Sequence, residues 1–274
     1  YTGGQGGGAV KITVAGITTI NGTITANGTS GSCGGGDCSG GGSGGSVWIT
    51  TGTFTGTGTI RANGGGAGNW DRDGGGGGGG RIAIHYTTDT SVLTSLVAKG
   101  ARPDGSAMYG GAGTIYKKAA SQANGDYIIN NEEASWSTDI NTVAITPLNN
   151  GLIVDNITIS KWARVDLTDT LTVINNLNLS NNAHLKVVNR LIVNNLNLST
   201  SGWLYNELTA NTTYTNLSWT GALITDNGGT FALLSSGGPL LVPATSTLYA
   251  NKPRTFSDIN ISGTLSHYSN TNEA

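Results

Sequence analysis

The chain has 274 residues, of which 45 are Gly, 5 Pro and 1 Met, and a formal net charge of -2. Charged residues make up 11%, against about 25% in an ordinary globular domain, and with no Lys/Arg cluster neither nucleic acid nor an anionic membrane surface is an expected partner. No apolar run approaches the ~18 residues of a membrane span, and the opening YTGGQGGG lacks the basic start and apolar segment of a leader, so the chain reads as a processed protein or one segment of a longer one.

The first half repeats on a long period. AVKITVAGITTINGTITANG (9–28) aligns with SVWITTGTFTGTGTIRANG (46–64), and RIAIHYTTDTSVLTSLVAKG (81–100) keeps the same plan. Apolar residues alternate with polar ones, the pattern of half-buried strands. Val10, Val47, Ile82 and Ile115 open the units and are 37, 35 and 33 residues apart. Each unit is therefore a coil of ~20 residues plus a glycine-rich insertion, and the insertions (29–45, 65–80, 101–113) follow ITANG, IRANG and LVAKG at one fixed corner.

The first insertion carries SCGGGDC, with both cysteines of the chain, Cys33 and Cys38. A zinc site needs more ligands than these two supply and no His lies nearby. A disulfide closing a small glycine loop is expected instead, in an oxidising compartment. The second insertion carries NWDRD before seven glycines at 74–80. Trp70, Asp71 and Asp73 are the candidate ligand-binding residues. A loop-tip Trp can stack on a sugar ring, and the two carboxylates faintly resemble a calcium loop but lack its remaining ligands; the plainer reading has Trp70 covering its own fold. The glycine run ends in Arg81 and a strand, with no Lys-Ser/Thr and no helix, so it is not a phosphate loop. Extended glycine legs packed on one another are expected, because glycine permits close backbone approach; a linker in solvent is the competing reading.

The second half repeats on a short period. LIVDNITIS starts at Leu152, LTVINNLNLS at Leu171 and LIVNNLNLS at Leu191. Asn156, Asn176 and Asn195 fall at equivalent corners, so stacked coils should carry them as a hydrogen-bonded ladder. Helix spacing is missing throughout, and Thr, Val and Ile dominate. His85 and His267 read as outward, solvated positions at strand ends, and with His184 they form no catalytic arrangement. No metal site or cofactor is expected.

A ~20-residue all-strand unit fits one turn of a coil, and coils stacked ~4.8 Å apart pair each strand with its equivalent in the next turn. The predicted fold is all-β: a parallel β-helix, of the right-handed sense that parallel crossovers prefer, forming a single domain over 1–274. Residues 1–118 are coils with glycine-rich insertions and 119–274 are more regular coils. Val10, Ile12, Val14, Ile49, Ile60, Ile82, Ile84, Val173, Leu177, Leu179, Leu196 and Leu198 are the expected core.

The motifs GGGSGGSVWIT, GTGTIRANGG, GGGGGGGRIAIHY and FSDINISGTLSH resemble the glycine-rich β-helical repeats of very large bacterial surface and adhesin-like proteins. The resemblance covers most of the chain. It implies a secreted or cell-surface, non-enzymatic protein with such units in tandem, and it carries no catalytic residues to transfer. The expected partners are copies of the chain, or adjacent coils of a longer chain, stacked head to tail on open strand edges. The alternatives are a carbohydrate-binding module using Trp70, Trp162 or Trp203 on surface glycans, and a polysaccharide-active enzyme.

Overall fold

The structure is a computed structural model that describes residues 2–34, 37–68, 74–103, 107–132, 142–149, 151–234, 239–251 and 255–267. It is all-β, with long parallel sheets and no α-helix among the described residues. The chain divides into two compact units: Tyr1–Thr146 with Lys161–Arg164, and Pro147–Ser160 with Val165–Ala274.

The first unit contains β1 (Ala9–Thr19), β2 (Thr23–Thr25), β3 (Cys33–Gly34), β4 (Asp37–Cys38), β5 (Ser46–Thr55), β6 (Thr59–Arg61), β7 (Arg81–Asp89), β8 (Ser95–Val97), β9 (Thr114–Ala119) and β10 (Asp126–Asn130). Strands β1, β5, β7, β9 and β10 lie side by side in that order, and β2-β6-β8 form a second sheet. The long strands pair in parallel, with Val10 beside Val47, Ile82 and Ile115, until β10 turns back antiparallel on β9. Alternate apolar side chains enter the core, where Ile49, Ile60 and Ile84 have no exposed surface and Ile82 has 1%. Each such burial contributes about 1.5–3 kcal/mol. Val10, Ile12 and Val14 are half-buried instead, because β1 is an edge strand.

Beside these sheets the glycine-rich segments build a second kind of core. Legs 2–8, 39–45, 74–80 and 108–113 run in one direction in one layer, and legs 26–32, 61–68 and 97–102 run oppositely in another. Within a layer, Gly41 N–H donates to Gly75 O (3.0 Å) and Gly44 N–H to Gly78 O (2.8 Å). Between layers, Gly42 N–H donates to Thr29 O (2.9 Å) and Gly45 N–H to Ala26 O (2.7 Å), while Gly77 and Gly80 reach Gly65 and Ala62. The bonds recur every three residues, the repeat of a polyproline-II helix, whose backbone groups are free to bond neighbours. A Cβ on Gly76, Gly77, Gly79 or Gly80 would lie 2.0–2.2 Å from a backbone oxygen of an adjacent leg. On Gly75 or Gly78, whose direction is outward, it would meet nothing closer than 3.8 Å. Two residues in three must therefore be very small, and the third is free.

The second unit contains β11 (Thr146–Leu148), β12 (Leu152–Ser160), β13 (Arg164–Leu167), β14 (Thr170–Leu179), β15 (His184–Val187), β16 (Arg190–Ser199), β17 (Trp203–Asn206), β18 (Asn211–Thr220), β19 (Leu223–Asp226), β20 (Thr230–Phe231), β21 (Leu240–Val242), β22 (Thr247–Ala250), β23 (Ile259–Ile261) and β24 (Thr264–Ser266). Strands β12-β14-β16-β18-β20 form one parallel run and β11-β13-β15-β17-β19-β22-β24 a second sheet. Leu152, Leu171 and Leu191 are in register, 19 and 20 residues apart, as are Ile157, Leu177 and Leu196. Tight corners at Asn181–Asn182 and Thr200–Ser201 take left-handed backbone angles (φ 46° to 60°). Asn accepts that region more readily than most residues. The core is aliphatic: Leu171, Leu177, Leu179, Leu185, Leu191 and Leu196 are fully buried.

Candidate functional site

The described residues carry ladders of like side chains along the parallel strands. Asn176 Nδ2 donates to Asn156 Oδ1 (2.9 Å), Asn195 Nδ2 to Asn176 Oδ1 (3.2 Å) and Asn216 Nδ2 to Asn195 Oδ1 (2.8 Å). A second column joins Asn197 Nδ2 to Asn178 Oδ1 at 2.9 Å. The first column lies not at a corner but inside the long strands, where the register shifts between Val173 and Asn176. A bulge of this kind bends a strand locally, and the ladder continues past it between Asn195 and Asn216, whose strands pair without a shift.

Cys33 and Cys38 form a disulfide across the β3–β4 hairpin, with Cα atoms 4.2 Å apart. The hairpin packs on the next glycine leg, where a Cβ on Gly68 would lie 2.4 Å from Cys33 Sγ. Trp70, Asp71 and Asp73 lie outside the described residues.

Aromatic rings make a further column in the first unit. Trp48 stacks on His85 (centroids 4.7 Å, planes 24° apart), His85 meets Tyr116 edge-on at 5.5 Å, and Tyr116 lies 5.0 Å from Tyr127. The Trp48–His85 spacing matches the ~4.8 Å between strands, so these rings stand on edge and spend a face on each other. His85 is thus covered rather than simply solvated. Burial, then the charge of Lys118, lowers its pKa below the usual imidazole value, and its Nε2 is shielded with no hydrogen-bond partner among the described residues. Beside it lies a shallow cavity of about 190 Å³, lined by Thr50, Thr51, His85, Tyr86, Thr87 and Lys118 among others. In the second unit Trp203 stacks on His184 at 4.7 Å and donates Nε1–H to Thr225 Oγ1 at 3.0 Å. Trp162 occupies a left-handed corner position (φ 61°).

Two polar groups carried no sequence signal. In the second unit Lys186 pairs with Glu207 at 2.7 Å, and Asn227 Nδ2 donates to the other carboxylate oxygen at 3.2 Å. Burial opposes the Glu207 charge, but these bonds outweigh it and hold the pKa low; the same Glu207 bond holds Lys186 high. In the first unit Asn131, fully buried, accepts from Gly100 N–H and donates to Gly110 O, both at 2.8 Å. It closes the last pair of glycine legs. Among the described residues no group of three His, Cys, Asp or Glu side chains is placed to hold a metal ion. No family model, curated protein or solved structure matches the chain.

Proposed function

We propose that the chain is a parallel β-helix, right-handed in sense, and that it serves as a non-enzymatic structural or adhesive segment of an extracellular or cell-surface rod. The observation that carries this reading is coil-to-coil identity. Val10, Val47, Ile82 and Ile115 repeat one position in the first unit, and Asn156, Asn176, Asn195 and Asn216 repeat another in the second. Such nearest-neighbour stacking suits a quasi-one-dimensional element whose length, rather than a pocket, is its product. The disulfide favours an oxidising location, and coils of the same or another chain are its natural neighbours. Negative-stain images of the native assembly test it: long, uniform, stiff rods are expected, and monodisperse small particles would refute the reading.

A glycan-binding role is the second reading. It is favoured by the shallow cavity at Thr50, His85 and Lys118, where the His85 ring stacks on Trp48, itself 45% exposed. Glycan-array binding that disappears in a folded Lys118→Ala variant would support it, and a blank array would remove it.

A further inference from the structure

Trp48 projects outward from β5, between the buried Val47 and Ile49. Its Nε1–H donates to Thr50 Oγ1 at 3.0 Å, so the indole leans along its own strand toward Thr50. The row of in-register residues at that level runs across the sheet through Thr13 of β1, Thr50, His85 of β7 and Lys118 of β9. On the β7 side the indole is covered by His85, stacked at 4.7 Å. On the β1 side the row offers only Thr13, which is exposed, and Trp48 is itself 45% exposed. Among the described residues no ring or cation covers the indole on that side. Strands lie ~4.8 Å apart, so a ring seated over Thr13 would meet the open indole face at the spacing at which His85 meets the other. It would extend the Trp48–His85–Tyr116 column over β1, a strand of this chain, whatever stacks beyond that strand.

Positive charge gathers around the same column. Lys11, Arg81 and Lys118 are far apart in the chain, yet the parallel register of β1, β5, β7 and β9 sets all three on the outward face. Between the Ala9 and Thr13 rows that face carries neither Asp nor Glu. Lys11 and Arg81 are exposed and pair with no carboxylate among the described residues. Lys118 Nζ donates to a carbonyl, Ala123 O, at 2.7 Å. The nearby acids face the other way. Asp89 is in register with the buried Phe54, and Asp126 with Lys117, which is itself in register with the buried Ile84. Three cations thus stand over about 14 Å of sheet, on a chain whose net charge is -2.

We propose that this face binds an acidic polysaccharide, with one uronate ring stacked on Trp48 over Thr13 and its carboxylate met by Lys11. The inference rests on the glycan-binding reading and names the class of glycan and the seat of its ring. The C–H face of a pyranose suits the electron-rich face of an indole, and the Thr13 hydroxyl lies below to bond the sugar hydroxyls. Lys11 is two residues along the same face of β1. Arg81 and Lys118 stand where flanking sugars would carry carboxylates of their own. One charge per ring matches cations spaced this widely. A nucleic acid, with its much denser phosphates, would find too few of them. An uncharged glycan would use the ring and leave the cations unanswered.

The test is titration of the whole chain against fluorescent hexagalacturonate, read by anisotropy. Binding is expected, and it should weaken as salt rises. Thr13→Trp puts a side chain where the sugar ring would sit and should weaken binding at least about tenfold. Lys11→Ala should weaken it about three- to tenfold and flatten the salt dependence. Both residues are exposed, and an unaltered unfolding midpoint verifies that the variants fold. The same substitution on the outer face of β14, Thr172→Trp, should leave the affinity as it was. Unchanged or tighter binding by Thr13→Trp, or an equal loss in Thr172→Trp, overturns the seat at Trp48. Neutral cellohexaose or a sulfated glycan bound more tightly than hexagalacturonate overturns the uronate class and leaves the glycan-binding reading standing. A blank glycan array removes that reading itself. Tighter binding of oligodeoxythymidylate than of hexagalacturonate overturns the proposal in favour of a nucleic acid.

Discussion

The glycine-legged repeats of the first unit and the regular repeats of the second solve one packing problem in opposite ways. In the second unit, Leu177 and its neighbours fill the space between strands with side chains, and the backbone pairs along the sheet. In the glycine layers the backbone itself fills the space, and each leg bonds to neighbours on several sides. The first solution draws stability from apolar area removed from water. The second draws it from packed, hydrogen-bonded peptide groups, each bond contributing about 1 kcal/mol net, against the large entropy that glycine loses on ordering. Removing carbon should therefore injure one region, and adding carbon the other.

The largest expected effect breaks the aliphatic side of that contrast. Leu177→Ala should destabilise the second unit by about 2–5 kcal/mol, measured by denaturant unfolding. A loss under about 1 kcal/mol would mean that the apolar interior around Leu177 is loosely filled. The mirror experiment is Gly77→Ala, which adds one methyl carbon 2.1 Å from Gly42 O and should cost about 1–3 kcal/mol. Its partner Gly78→Ala, pointing outward with 3.8 Å of room, should stay within about 0.5 kcal/mol of the parent. Equal effects at the two positions would dissolve the distinction between inward and outward glycines.

Smaller changes probe how each region is finished. Asn131→Ala should cost about 1–3 kcal/mol by leaving buried backbone groups unpaired, and exchange at the Gly100 amide should quicken. Asn176→Ala, in the middle of a half-exposed ladder, should cost about 1 kcal/mol. The smallest effect is electrostatic. The pKa of Glu207 is depressed in the folded state, so its contribution is full above the ordinary carboxylate range and fades as pH falls through the lowered value. The pKa of Lys186 is raised, so its contribution fades only as pH climbs through that raised value. Glu207→Gln should flatten the acid limb of the stability curve while leaving the neutral fold intact; an unchanged acid limb would mean that the pair is solvated away.

The strands were legible because alternation and a fixed period constrain them strongly. Ile49, Ile82, Leu177 and Leu196 could be placed inward from spacing alone, and the offsets from Val10 to Ile115 are those of the sheet. The bulge before Asn176 was not legible, since an Asn-Asn pair signals a turn as readily as a bend within a strand. Glycine, having no side chain, shows no sidedness in a sequence, so the inward and outward thirds of the run 74–80 emerge only from its neighbours. Asn131 sits in IINNEE, where nothing marks a residue that will close two legs 20 to 30 positions upstream. Likewise the stacking of His85 depends on Trp48, one repeat earlier.

The three-residue repeat of the glycine layers also limits how such insertions can change in length. Adding or removing one residue in a leg would rotate every following position by a third of a turn, driving an outward Ser43 into contact with a neighbouring backbone. A change of three residues in one leg, matched by three in the leg that returns, would leave every contact in phase. Insertions and deletions in these legs should therefore be tolerated in paired triplets, so that the layers widen in whole turns while the adjoining strands keep their register.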